Sequence, residues 1–115
     1  MKTPERTAGL TAGQLKALCD CFVGFPAVEQ VLLYGSRAKG NWHERSDIDL
    51  AVKGPQLDRF QLARLLLDID DSDLPFQVDL LHYDTLNNAR LKDHIDRVGI
   101  VIFDREQPGR GAAWN

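Results

Sequence analysis

The chain has 115 residues, 43% of them apolar and 27% charged, and carries a formal net charge of −3. That length suits one domain with a modest core and is too short for a catalytic domain beside a separate substrate-binding one. No apolar run approaches the roughly 18 residues that cross a bilayer, and the slight acidity argues against a surface made to grip nucleic acid.

Met1-Lys2-Thr3-Pro4-Glu5-Arg6 leads into no apolar segment of the secretory type, so the expected location is the cytoplasm. Thr11 with Gln14 three residues on forms a capping-box pattern. Leu15, Leu18, Cys19, Phe22 and Phe25 follow at helical spacing, which predicts an amphipathic helix over 11–24. Cys19 and Cys21 are two apart on that helix and point to different sides, so both are expected as free, partly buried thiols. Pro26 ends the helix, and Val28 to Tyr34 is short, apolar and bounded by Gly35, the pattern of a buried strand.

Gly35-Ser36 is the turn out of that strand; 36–40 has the makings of a short helix and 41–46 of a polar loop. Asp47 to Lys53 alternates strictly, with Ile48, Leu50 and Val52 on one face, and reads as a second strand. Gly54-Pro55 breaks it, and 57–70 reads as a helix with Leu57, Phe60, Ala63, Leu66 or Leu67 and Ile69 along its buried stripe. Phe76 to His82 makes a third strand, its alternation putting Phe76, Val78 and Leu80 on one face and Asp79 on the other. A helix capped by Asp84 or Thr85 is expected to run to about Val98, where Gly99 stops it before a last strand over Ile100 to Phe103. Pro108, Gly109 and Gly111 leave the end of the chain with too little apolar content to order itself. The expected organisation is one α/β (α+β) domain over 1–104, a small mixed sheet packed against helices, followed by a tail over 105–115.

Three acids stand on these strands. Asp47 and Asp49 share a face because strand side chains alternate, with Cα atoms about 6.5 to 7 Å apart, so their carboxylates can converge on one region. Such a pair suits hard cations, and Asp79 on a neighbouring strand supplies a third carboxylate or a base. Gly35-Ser36 fits as the other half of a phosphate site: glycine admits close backbone approach, a serine hydroxyl and amide N–H groups hold phosphate oxygens, and Arg37 and Lys39 add positive charge.

Competing patterns fail on particular positions. Gly35 and Gly40 have P-loop spacing, but Asn41 and Trp42 stand where Lys and Ser or Thr belong. An EF-hand starting at Asp47 lacks a third ligand at Ala51 and the glycine at Val52. Asp68, Asp70, Asp71 and Asp73 also lack that glycine and read as a solvated helix end, while His43, His82 and His94 show no metal-ligand spacing.

Gly35-Ser36, ten residues, then Asp47-Ile48-Asp49 resembles the signature of the DNA polymerase β-like nucleotidyltransferases, and Gly35-Ser36-Arg37-Ala38-Lys39-Gly40 with Ser46-Asp47-Ile48-Asp49-Leu50 is similar above all to the minimal nucleotidyltransferases (MNT). The resemblance spans roughly 11–104. It implies a polymerase β-like fold, a triphosphate held at Gly35 and Ser36 with Arg37 and Lys39 beside it, and two Mg²⁺ ions held by Asp47, Asp49 and Asp79. It also implies that Asp79 acts as the base while ATP donates AMP to a hydroxyl.

MNT proteins of this kind pair with a small helical HEPN ribonuclease toxin and act as antitoxin by placing AMP on one of its tyrosines. The resemblance therefore implies such a partner, no direct contact with nucleic acid or membrane, and a hetero-oligomer or homodimer. With no acceptor-binding region beyond the core, a partner is expected to complete the acceptor site. Two other readings share the fold: an antitoxin that neutralises by contact alone, and an antibiotic-type small-molecule nucleotidyltransferase working with a separate helical subunit.

Overall fold

The computed structural model describes residues 6–7, 9–35, 38, 47–72 and 74–106. Strands β1 (Arg6–Thr7) and β2 (Leu10–Thr11) form a two-stranded antiparallel ribbon too short to register as a pattern in the sequence. Thr11 then caps helix α1 (Ala12–Val23). Its hydroxyl accepts from the Gln14 N–H at 3.1 Å, and the Gln14 side-chain oxygen accepts from the Thr11 N–H at 2.9 Å, the reciprocal bond of a capping box.

Strands β3 (Gln30–Tyr34) and β4 (Ile48–Lys53), helix α2 (Arg59–Asp70), strand β5 (Val78–His82), a 3₁₀ turn (Tyr83–Thr85), helix α3 (Ala89–Val98) and strand β6 (Ile100–Asp104) complete the described chain. The four strands form one sheet in the order β5-β4-β3-β6; β4 and β5 run parallel and the other pairs antiparallel. Helices cover this mixed sheet on both faces. On one face Val31, Leu33, Ile48, Leu50, Val52, Val78 and Ile102 pack beneath Leu15, Leu18 and Phe22 of α1 and Leu65 and Ile69 of α2. On the other, Leu32 and Ala51 meet Ile95 of α3, flanked by Tyr34, Leu81, Tyr83 and Leu91.

The alternation read in Asp47 to Lys53 holds: Ile48, Leu50 and Val52 are fully buried on the α1/α2 side. Helix α2 departs from expectation. Leu65 and Ile69 are buried and Leu62 packs against the core, whereas Phe60 is 72% exposed, Leu67 62% exposed, and Ala63 points out. The phase is set before the helix begins. Leu57, buried in the preceding turn, donates its N–H to the Gly54 carbonyl, and Asp58 then caps α2 by accepting from the Gln61 N–H at 2.8 Å.

Helix α3 also starts later than expected, because Asp84 is engaged elsewhere. Its carboxylate accepts the Gly54 N–H at 2.7 Å and stands 3.4 Å from His82 Nε2, which itself meets the Gly54 carbonyl at 2.8 Å. These contacts join the end of β4 to the end of β5, and Asn88 becomes the cap of α3 by accepting from the Leu91 N–H at 3.0 Å. Arg105, assigned to the tail by composition, is anchored instead: its guanidinium donates to the carbonyls of Val28, Phe22 and Phe25 at 2.8, 3.0 and 3.1 Å. Both cysteines are free and partly buried; Cys19 donates to the Ile102 carbonyl, and its thiol is pushed up to about 11, chiefly by burial.

Candidate active site

The register of the sheet assembles the candidate residues. Asp49 on β4 is paired directly with Asp79 on the parallel neighbour β5 and with Tyr34 on the antiparallel neighbour β3. Directly paired residues point to the same face, so Tyr34, Asp49 and Asp79 form a row across three strands. That face is the one α3 covers, but the row lies beyond the contact of Leu32 and Ala51 with Ile95 and is left partly open. Asp47, immediately before β4, follows the same alternation and is exposed, as is Asp79; Asp49 between its neighbours is half-buried.

Gly35 follows Tyr34 with φ of 80°, a left-handed conformation that only glycine takes without strain. It also lies against Asp49: a Cβ on residue 35 would fall on Asp49 Oδ2 and stand 3.3 Å from its Cγ. Gly35 and the Asp49 carboxylate, on opposite sides of the polar loop in the sequence, are thus in contact in the fold. Ser36, Arg37 and Lys39, singled out in the sequence beside Gly35, lie outside the described residues, as do Trp42 and His43.

The electrostatics of the row is one-sided. The Asp49 carboxyl is raised above its ordinary range by burial first, then by the charges of Asp79 and Asp47. The Tyr34 phenol is pushed up to about 12 by burial, Asp49 and Asp79. No described residue hydrogen-bonds or forms an ion pair with the carboxylates of Asp47, Asp49 or Asp79, and no three acid, imidazole or thiol side chains among the described residues are gathered tightly enough to hold a metal unaided. Carboxylate oxygens that repel one another, with no counter-ion among the described residues, fit a hard divalent cation that brings further ligands with it, Mg²⁺ above all. Such an arrangement has the chemistry to take a metal–phosphate complex and to offer a carboxylate as proton acceptor.

Two residues of this region have no site role in the sequence reading. Tyr34 was read as an apolar strand residue, although its place just before Gly35 and its parity with Leu32 were both legible. His94 on α3, set aside for want of ligand spacing, meets the Tyr34 ring edge-on, with centroids 6.4 Å apart and planes at 82°. The acidic run at the end of α2 is exposed at Asp68, Asp70 and Asp71, with the Asp71 backbone N–H closing the helix end on the carbonyls of Leu67 and Ile69.

The family model "Polymerase beta, Nucleotidyltransferase" matches residues 16–108. A curated protein of Haemophilus influenzae, named probable protein adenylyltransferase MntA, is 37% identical over 78 residues, which cover 67% of this chain and 68% of that protein. A crystal structure of a toxin–antitoxin complex with AMP-PNP contains a chain that matches with a TM-score of 0.67 at 22% identity, over 85% of this chain and 80% of that one. A complex of tri-AMPylated Shewanella oneidensis HEPN toxin with its MNT antitoxin matches with a TM-score of 0.56 at 19% identity, over 84% of this chain and 77% of the other. At those identities the two structures speak for the fold, which is the polymerase β-like mixed sheet with helices on both faces.

Proposed function

Because this chain belongs to the polymerase β nucleotidyltransferase family, we propose that it is a Mg²⁺-dependent protein adenylyltransferase that transfers AMP from ATP to a tyrosine hydroxyl of a helical HEPN-type toxin, and so acts as that toxin's antitoxin. The observation that carries the chemistry is the direct pairing of Asp49 with Asp79 on adjacent strands, with Asp47 two residues before Asp49 and Gly35 against its carboxylate. The acceptor comes from the relatives: an adenylyltransferase of proteins on one side and an AMPylated HEPN toxin bound to an MNT antitoxin on the other.

In this reading Asp47, Asp49 and Asp79 would hold two Mg²⁺ ions. Bound there, Mg²⁺ would supply charge neutralisation for the triphosphate, a lowered pKa for the attacking hydroxyl and stabilisation of the departing pyrophosphate. The chain's own residues do the rest. Gly35 lets the backbone approach the triphosphate, which the Ser36 hydroxyl and the turn's amides hold while Arg37 and Lys39 offset its charge. Asp79, exposed on the edge strand β5, takes the proton of the acceptor hydroxyl. The hydroxyl oxygen forms its bond to the α-phosphorus as the bond from that phosphorus to the bridging oxygen breaks, and pyrophosphate carries the electron pair away. The place of action is the cytoplasm, where ATP and a ribonuclease partner meet; no helix among the described residues is long and apolar enough to cross a membrane.

The test is to incubate the purified chain with Mg²⁺, α-labelled ATP and its helical partner, then read label and intact mass. One or more AMP units on a partner tyrosine, lost in Asp47→Asn, is the expected result. A partner silenced without label would make this a binding antitoxin, and label on an aminoglycoside instead of protein would make it a small-molecule transferase.

A further inference from the structure

We propose that Tyr34 is a positioning residue of the transfer reaction, whose phenol O–H donates a hydrogen bond to a triphosphate oxygen of the bound nucleotide. This rests on reading the Gly35 turn and the three aspartates as a triphosphate site.

Tyr34 is the last residue of β3, so the chain passes directly from it into the Gly35 turn, and its side chain lies in the row with Asp49 and Asp79. Its ring is half-buried and braced edge-on by His94. A partly buried phenol ordinarily finds a hydrogen-bond partner for its hydroxyl. Tyr34 has none among the described residues, although Asp49, an acceptor, is its register neighbour. A donor fixed at the rim of an anion site, with its ring packed and no described residue bonded to its hydroxyl, is suited to a ligand acceptor.

The order of the strands says which part of the ligand it meets. With the sequence β5-β4-β3 and strands about 4.8 Å apart, Tyr34 is separated from Asp79 by roughly 9.6 Å of sheet. The hydroxyl that Asp79 deprotonates enters at the β5 edge, while Tyr34 stands on the other side of Asp49, beside the turn. A neutral phenol is a poor ligand for Mg²⁺ and a good donor to an oxyanion, so its partner is phosphate oxygen, not metal and not acceptor.

Tyr34→Phe keeps the ring and the contact with His94 and removes only the hydroxyl. Calorimetric titration with Mg²⁺ and a non-hydrolysable ATP analogue is expected to show binding weakened about 10- to 100-fold, the range for one hydrogen bond to a charged group. The KM for ATP should rise in step, with the KM for the acceptor and the ligand-free melting temperature unchanged. Equal affinity in Tyr34→Phe and the parent, or a loss confined to the acceptor KM, would overturn the assignment. A parent chain that binds no Mg²⁺–nucleotide at all would instead bring down the nucleotidyl-transfer reading from which it starts.

Discussion

Gly35 and Asp49 share a space that holds one side chain and no more: the position a Cβ would take on residue 35 is filled by the carboxylate of Asp49. Gly35→Ala should therefore act on the aspartate as much as on the turn. The backbone at φ of 80° would cost about 1–2 kcal/mol with a side chain present, and the displaced Asp49 would leave the row it shares with Asp79. The expected outcome is a folded protein whose nucleotidyl transfer falls on the order of 100-fold, the cost of an ångström-scale misplacement of reacting groups. Circular dichroism paired with single-turnover transfer separates this from unfolding, since a merely structural glycine would lose melting temperature and rate together.

Asp49 also gives the site a pH signature. Burial, then Asp79 and Asp47, hold its carboxyl above the ordinary range, so the folded chain binds this proton more tightly than the unfolded chain does. The resulting stabilisation is complete below the unfolded value of about 3.9 and is lost as pH rises through the higher folded value. At neutral pH the metal-free protein carries the full repulsion. Asp49→Asn removes it, and the variant should melt above the parent near pH 7 in chelator, with the gap closing below about pH 4. Added Mg²⁺ should raise the parent's melting temperature and leave the variant's nearly unchanged, because only the parent gains a ligand bound to its native state.

The corrected face of α2 is testable by stability alone. Leu65 is fully buried, and Leu65→Ala should cost about 2–5 kcal/mol in urea unfolding. Phe60→Ser and Leu67→Gln, at positions that helical spacing assigned to the core, should stay within about 0.5 kcal/mol of the parent. If Phe60→Ser proved as damaging as Leu65→Ala, the phase set by Leu57 and the Asp58 cap would be wrong.

That helix shows where sequence patterning stops being informative. Leu57, Phe60, Leu62, Leu65, Leu66, Leu67 and Ile69 supply apolar residues to nearly every side, so periodicity alone offers more than one stripe and the entry turn decides between them. The strands were more legible because a period of two leaves no such choice: once Ile48, Leu50 and Val52 faced the core, Asp47 and Asp49 were bound to face away from it. Asp79 was placed on its face by the same rule, but its pairing opposite Asp49 is a matter of register between two strands 30 residues apart, which no local pattern encodes. Tyr34 was hidden in a different way, since a tyrosine ending an apolar strand is indistinguishable from core until its neighbours across the sheet are known.

Arg105 was misassigned for a further reason: its partners are backbone carbonyls 77 to 83 residues earlier, and composition cannot see a carbonyl. Its guanidinium gathers the Phe22, Phe25 and Val28 carbonyls where α1 gives way to β3, while its own N–H donates to the Glu29 carbonyl at 2.9 Å and its head lies 5.2 Å from the Phe103 ring centroid. The planar fork suits several acceptors at once, a geometry an ammonium cannot copy. Arg105→Ala should therefore destabilise the domain by about 2–4 kcal/mol, since hydrogen bonds from a charged group contribute about 1.5–3 kcal/mol and this one group makes several. Arg105→Lys should recover only part of that loss. Urea unfolding of the two variants checks this, and a midpoint for Arg105→Ala equal to the parent's would return the residue to the tail that composition assigned it.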